Sequence, residues 1–347
     1  MTGQAFRIVV CDDSPTYGRA LSAFLEHDPR LEVVHIFDTA EEMLPALGDI
    51  DPDLVTMDLE MPGMGGASAV EQIMRDRPVP ILVLSAHAGK DSEHAAEALA
   101  AGALEALGKS SLRLLEPTDL WATAVRSRIK RLASVQLKAR VRAGRTTPAP
   151  ARRIAMDRPV GAVGIGASTG GPPALTQVLS ALPAAFPLPV LVVQHIASGF
   201  SEALVNWLDR RLGLPVGFAT DGARAEPGIW FAPDDVHLCL DASMRFVLDG
   251  HQTRGVHRPS VDMLLESLAA SLGDRAVGVV LTGMGRDGAD GVHAMRRAGG
   301  LVIAQDEHTS AVFGMPRAAI ESGADFVLPL YEVGPALATL RTDAGAL

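Results

Sequence analysis

Between Phe6 and about Lys130, short apolar runs alternate five times with amphipathic segments of helix length. Uninterrupted apolar runs suit strands buried on both faces, and parallel strands need a crossover between them. The alternation therefore predicts a doubly wound, five-stranded parallel sheet with helices on both sides. Strands are expected at Arg7–Val10, Glu32–Phe37, Asp53–Met57, Pro80–Leu84 and Ala103–Leu107, and helices at Pro15–His27, Ala40–Gly48, Ala67–Asp76, Ser92–Ala101 and Thr118–Leu132. Ligands of such sheets bind beyond the carboxyl ends of the strands.

After Leu132 the pattern gives way to a basic segment containing Pro148 and Pro150, and order resumes near Val160. Strands are predicted at Val160–Ile165, Pro189–Gln194, Ile229–Ala232, Val236–Leu240, Arg245–Leu248, Ala276–Leu281 and Leu301–Ala304. Helices are predicted at Pro172–Leu182, Ser201–Arg211, Ser260–Leu272, Gly288–Ala298 and Pro316–Ser322. The expectation is two α/β domains: one at 1–132, a linker at 133–158, and a Rossmann-like domain at 159–347 with a short antiparallel insertion near 229–249.

Residues 126–158 hold eleven of the 31 Lys and Arg and one acid, Asp157, so this stretch is +10 in a chain of net charge −10. No aromatics interleave these charges as single-strand binding would want. A solvated linker accounts for them better than a nucleic-acid or lipid surface, and no nucleic-acid partner is expected. No apolar stretch approaches the roughly 18 residues of a membrane span, so membrane insertion is not expected. The N-terminus lacks the basic region and long apolar core of a signal peptide. Cys11 and Cys239 are far apart and read as reduced thiols of a cytoplasmic protein.

Two groups of residues carry chemistry. Cys11-Asp12-Asp13 ends the first predicted strand, Met57-Asp58 the third, Ser85 follows the fourth and Lys109 the fifth. Three clustered carboxylates repel one another unless a cation sits among them, and Mg2+ suits an all-oxygen set. Asp58 could then attack a phosphoryl donor to form an acyl phosphate. Asp12 and Asp13, with Asp58, would hold the metal. Lys109 would neutralise phosphoryl oxygens, and the Ser85 hydroxyl could hydrogen-bond them. Solvated loop residues at strand ends are the plainer explanation of any one of these, but not of all together.

The second group begins at Gly166-Ala167-Ser168-Thr169-Gly170, which fits G-x-S-x-G between a strand and a helix. The next strand ends in Gln194-His195, and Leu281-Thr282-Gly283-Met284-Gly285-Arg286-Asp287-Gly288 follows another strand. A dinucleotide loop would need glycine at Thr169 and an acid near His195. A serine hydrolase wants that histidine. Ser168 would attack an ester carbonyl, His195 would take its proton, and Asp287 would orient His195. Backbone N–H groups near Met284 and Thr169 could stabilise the oxyanion. No cofactor is expected in this domain. The order Ser, His, Asp differs from the Ser, Asp, His of α/β-hydrolases. Taken singly, His195 reads as a satisfied strand-end histidine and Asp287 as a helix cap. A scaffold with a vestigial site is the competing class, and the three intact residues argue against it.

The first group resembles response-regulator receiver domains through Val10-Cys11-Asp12-Asp13-Ser14, Asp58-Leu59-Glu60-Met61-Pro62-Gly63-Met64-Gly65-Gly66, Ser85-Ala86 and Lys109. Where that family usually has proline after the lysine, this chain has Ser110, and a frequent aromatic is replaced by Ala106. The second group, with His257-Arg258-Pro259-Ser260-Val261-Asp262 and Val312-Phe313-Gly314-Met315-Pro316-Arg317-Ala318, resembles the CheB-type chemotaxis receptor methylesterases, also called protein-glutamate methylesterase/protein-glutamine glutaminase. The resemblance implies a histidine kinase as phosphodonor. It implies methylated glutamates, and some glutamines, on receptor cytoplasmic helices as substrates. It also implies a receiver that blocks the esterase until phosphorylated. His257 and Arg258 are candidates either for the substrate groove or for a structural role.

Overall fold

The computed structural model describes residues 4–86, 93–112, 114, 119–135, 137, 159–251 and 257–341. The chain divides into two units, Met1–Ala143 and Gly144–Leu347. In the first, the elements run β1 Phe6–Cys11, α1 Pro15–Glu26, β2 Leu31–Phe37, α2 Ala40–Ile50, β3 Leu54–Asp58, α3 Gly66–Asp76, β4 Ile81–Ser85, α4 Glu93–Ala101, β5 Glu105–Gly108 and α5 Leu120–Ala133. The strand order is β2-β1-β3-β4-β5, and every pairing is parallel. Every residue of β3 and β4 is buried, which is why those strands read as plain apolar runs. Helix starts are set by side-chain caps: Ser14 accepts from Tyr17 N, Thr39 from Glu42 N and Asp119 from Ala122 N. The chain reverses direction of crossover beside β1, so the ends of β1 and β3 form the crevice where a ligand site is expected.

The second unit runs β6 Ala162–Ala167, α6 Gly171–Ser180, β7 Pro189–Gln194, α7 Ser201–Asp209, β8 Val216–Phe218, β9 Gly228–Phe231, β10 His237–Leu240, β11 Phe246–Asp249, α8 Val261–Leu272, β12 Ala276–Val280, α9 Ala289–Ala298, β13 Leu301–Gln305, α10 Met315–Glu321, β14 Phe326–Leu328 and α11 Leu330–Leu337. Seven strands form one parallel sheet in the order β14-β13-β12-β6-β7-β9-β8. The topology switches between β6 and β12.

The antiparallel insertion is smaller than the sequence suggested. Among the described strands, β10 and β11 are the pair that runs antiparallel, with one isolated antiparallel bridge between Arg224 and Arg245. The strand expected at Ile229–Ala232 belongs instead to the main sheet, parallel to β7 and β8. Its run Gly-Ile-Trp-Phe is too short for alternation to reveal which neighbour it pairs with. The linker expected at 133–158 lies, beyond Val135 and apart from Leu137, outside the described residues. Among the described residues, no helix is long and apolar enough to cross a membrane.

Helix α8 is seated directly on the central strand. A Cβ on Gly164 would lie 2.5 Å from Leu268 Cδ1, and one on Gly166 would lie 2.2 Å from Val261 Cγ1. The bare strand lets the helix approach, and Leu264, Leu265 and Leu268 are each fully buried there. Leu268→Ala is expected to destabilise the second unit by about 2–5 kcal/mol through a cavity against β6, measured as a lowered urea midpoint.

Candidate active site and phosphoacceptor site

In the first unit, Asp12, Asp13 and Asp58 each offer a carboxylate oxygen within 4.8 Å of the others. Asp12 and Asp58 are buried and Asp13 is exposed. Lys109 Nζ hydrogen-bonds Asp58 Oδ2 at 2.7 Å and also lies 2.7 Å from Asp12 Oδ2. Burial raises the Asp12 pKa and the Asp58 charge adds to it, with Lys109 opposing both. Burial works against the charge of Lys109, but its bonds to Asp12 and Asp58 outweigh that and hold its pKa above the ordinary value. The remaining oxygens are tied to the backbone: Ser14 N donates to Asp12 Oδ1 at 3.0 Å and Glu60 N to Asp58 Oδ1 at 3.2 Å. Ser85 is buried at the end of β4, next to the β3 strand that carries Asp58. The five residues expected at one sheet edge thus sit directly after β1, at the ends of β3 and β4, and directly after β5. Tyr17, not singled out by sequence, lays its ring 4.6 Å from Lys109 Nζ. The carboxylate set is one that could hold a cation.

In the second unit, Ser168 leaves the central strand β6, His195 follows its neighbour β7, and Asp287 lies in the loop between β12, its other neighbour, and α9. Gly170, in left-handed conformation at φ 72°, caps α6, so the turn after Ser168 is made by this glycine. Pro172 falls in the first turn of α6, where its missing N–H costs nothing. The nucleophile loop is fastened to the neighbouring strands. Ser168 N donates to Thr282 O at 3.0 Å, and His195 N donates to Ala167 O at 2.9 Å. Thr282 Oγ1 donates to Thr169 O at 3.0 Å, and Thr282 N is held by Gln305 Oε1 at 2.7 Å.

His195 Nε2 lies 2.9 Å from Asp287 Oδ2, and both side chains are about nine-tenths buried, at 10% and 8% exposure. The contact is short but not aligned as a hydrogen bond, and such pairs tighten when substrate binds. His195 Nδ1 is buried without a hydrogen-bond partner. Asp287 is anchored on its far side by the start of α8. Ser260 Oγ donates to Oδ1 at 2.8 Å, Asp262 N to Oδ1 at 3.0 Å and Val261 N to Oδ2 at 2.8 Å. Burial alone would raise the Asp287 pKa. The contact with His195 and the Asp262 and Val261 amides outweigh it and hold the carboxyl well below the usual range. Asp262, half-buried beside that charge, is pushed up instead, to about 6, by its partial burial first and by Asp287.

Thr169 and Met284 stand on the two loops that meet around Ser168: a Cβ on Gly283 would lie 2.8 Å from Ser168 Cβ. The Val312–Ala318 segment backs this loop, with Gly314 N and Met315 N both donating to Gly283 O, at 3.1 and 2.9 Å. The ring of His257 stacks on His195 with centroids 4.2 Å apart and an interplanar angle of 15°. A cleft of about 110 Å³ opens there, lined by His195, His257, Arg258, Gln194, Ser198 and Asp234 among others. The three residues expected to carry catalysis, Ser168, His195 and Asp287, thus lie at the ends of three neighbouring strands of one sheet. Sequence reasoning missed the parts played by Ser260, Thr282, Gln194 and Gln305. Polar residues at strand ends and helix caps were the available signal.

The arrangement agrees with comparisons to known proteins. Residues 163–337 match the family model described as CheB methylesterase, and residues 8–115 match the response regulator receiver domain. A protein-glutamate methylesterase/protein-glutamine glutaminase 3 from Myxococcus xanthus is 43% identical over 91% of this chain and 88% of its own length. A protein-glutamate methylesterase/protein-glutamine glutaminase 1 from Caulobacter vibrioides is 39% identical over 92% of each. The solved catalytic domain of the Thermotoga maritima CheB methylesterase is 42% identical and has a TM-score of 0.50, covering 52% of this chain and 97% of that one. With a candidate Ser–His–Asp site on the ends of three adjacent strands and a carboxylate cluster in the domain that precedes it in sequence, this chain belongs to the CheB methylesterase family and carries a response-regulator receiver domain at residues 8–115.

Proposed function

We propose that this chain hydrolyses methyl esters of glutamate side chains, and the primary amides of glutamine side chains, on the cytoplasmic helices of chemoreceptors, under the control of phosphorylation at Asp58. The observation that carries the reading is the buried His195–Asp287 contact beside Ser168, with Asp287 anchored on α8. Ser168 Oγ attacks the glutamyl carbonyl while His195 Nδ1, the ring nitrogen that Asp287 does not engage, takes its proton. The carbonyl oxygen becomes an oxyanion, stabilised by the backbone N–H groups of Thr169 and Met284. His195 returns the proton to methanol or ammonia as it leaves. Water then hydrolyses the acyl-enzyme by the same route, and no metal takes part in this site.

In the receiver, Asp58 accepts the phosphoryl group from a histidine kinase. Lys109 swings from carboxylate to phosphoryl oxygen, and Ser85 hydrogen-bonds the group. Asp12, Asp13 and Asp58 would hold Mg2+, which would neutralise the oxygens around the transferred group. The raised Asp12 pKa fits this donor set, because a buried carboxylate beside another gains from a cation. The same reading sets the receiver at 1–132, a linker at 133–158 and the esterase at 159–347, working in the cytoplasm.

Methanol release from methylated receptor tests the control. A small phosphodonor is expected to raise the activity of the full chain, by about tenfold for each 1.4 kcal/mol by which phosphorylation disfavours the restrained form. Asp58→Ala should not respond. Removal of residues 1–140 should raise basal activity without a donor. Equal activity of all three, with and without donor, would show that the receiver does not gate catalysis.

A further inference from the structure

Gln194 is the last residue of β7, directly before His195, and its side chain is 7% exposed. Its Nε2 donates to Ser168 O at 2.9 Å and to His195 O at 2.8 Å. A side-chain amide has two N–H donors, and both are used. One buried NH2 group thus joins the carbonyls of the two residues on which hydrolysis depends. The ladder between β6 and β7 closes with the Ala167–Gln194 pair, so neither carbonyl has a strand partner in that register. Gln194 supplies the cross-link that the sheet no longer does.

The other end of the amide is not satisfied. Gln194 Oε1 is buried with no hydrogen-bond partner. An orphaned buried acceptor is unfavourable, and a packing role would be filled without that penalty by Met. The space for the amide exists because residue 171 has no side chain. A Cβ on Gly171 would lie 2.0 Å from Gln194 Oε1 and 2.8 Å from its Cδ. Gly171 is in turn bound to the nucleophile, its N–H donating to Ser168 O at 2.7 Å.

We infer that Gln194 is a positioning residue whose NH2 group fixes the Ser168 and His195 backbones relative to each other, so that hydroxyl and imidazole meet in reactive register. The inference rests on Ser168 and His195 being nucleophile and base. Misplacing reacting groups by about an ångström is enough to cost about 100-fold in rate. Gly171→Ala acts on the same cross-link from the other side, because it displaces the amide without changing its chemistry.

The test uses the full chain and the variants Gln194→Met, Gly171→Ala and Ser168→Ala. Three readings are taken: the thermal midpoint, kcat and KM for methanol release from methylated receptor, and the rate at which a fluorophosphonate labels Ser168. Labelling reports the reactivity of the nucleophile without any receptor contact. In folded Gln194→Met and Gly171→Ala, kcat and labelling rate should both fall about 100-fold while KM stays within about twofold. A merely structural role would lower the midpoint and leave both rates per folded molecule unchanged. Wild-type rates in either folded variant overturn the inference, as does failure of both to fold, which would assign Gln194 to stability. Labelling and hydrolysis that persist in Ser168→Ala overturn the nucleophile assignment itself. Their loss there, with wild-type rates in Gln194→Met, removes the cross-link alone.

Discussion

Ser168→Ala is expected to lower kcat for methanol release by about a million-fold, the scale set by other triad serines. The fold should not notice. The bonds that hold Ser168 in place come from its backbone: its N–H to Thr282 O, and its carbonyl oxygen to Gly171 N and Gln194 Nε2. Alanine keeps all three. The side chain is half-buried, so the lost hydroxyl leaves a void of about one atom. Loss of activity with an unchanged melting curve would therefore isolate the nucleophile. Near-wild-type methanol release from the purified variant would end the assignment.

Asp287→Asn is expected to cost about 10,000-fold in kcat, for both ester and amide substrates. The cause is the direction of the donors around this carboxylate. Oδ1 accepts from Ser260 Oγ and Asp262 N, while Oδ2 accepts from Val261 N and faces His195 Nε2. Asparagine has only one oxygen. With that oxygen in the Oδ1 position, its NH2 group points at His195 Nε2 and makes that nitrogen an acceptor. The proton then sits on Nδ1, the nitrogen that must receive it from Ser168. The opposite flip leaves the Ser260 and Asp262 donors facing an NH2 group. Comparison of kcat for Asn and Ala at 287 checks this: an Asn variant at wild-type rate would show that His195 does not depend on the acceptor.

The depressed pKa of Asp287 also fixes the sign of its effect on stability. A carboxyl whose folded value lies below its unfolded one, about 3.9, contributes in full above that unfolded value. The contribution is lost as pH falls through the folded value. Acid in the range where ordinary carboxylates titrate therefore weakens the second unit through this residue, and neutral pH does not.

The sequence disclosed the strand ends because βα repeats have a length and a polarity that no other arrangement shares. Asp12, Asp58, Lys109, Ser168 and His195 each end or closely follow an apolar run and Asp287 lies in the loop after one, and parallel topology carries such positions to one edge of their own sheet. What lies one step away was not legible. Ser260 reads as a helix cap and does cap α8, with Met263 N reaching its hydroxyl. That the same hydroxyl holds Asp287 depends on where α8 crosses β6, which no local pattern states. β8 and β14 have three residues each, too few to show a period. In α11, Pro335 lies inside the helix and makes Leu-Tyr-Glu-Val-Gly-Pro-Ala-Leu read as broken chain.

The backbones of the proposed nucleophile and base are tied to the strand ends, through Ser168 N to Thr282 O and His195 N to Ala167 O. Enzymes often keep their reactive groups on loops that open well before the body melts. Here the backbones of Ser168 and His195 are hydrogen-bonded to the central strands and their extensions. Heat inactivation is therefore expected to coincide with melting of the domain, which activity and unfolding followed in the same heating series would check. On the proposed function, adaptability toward different substrate segments is expected to come from the rim around the cleft, and not from its floor.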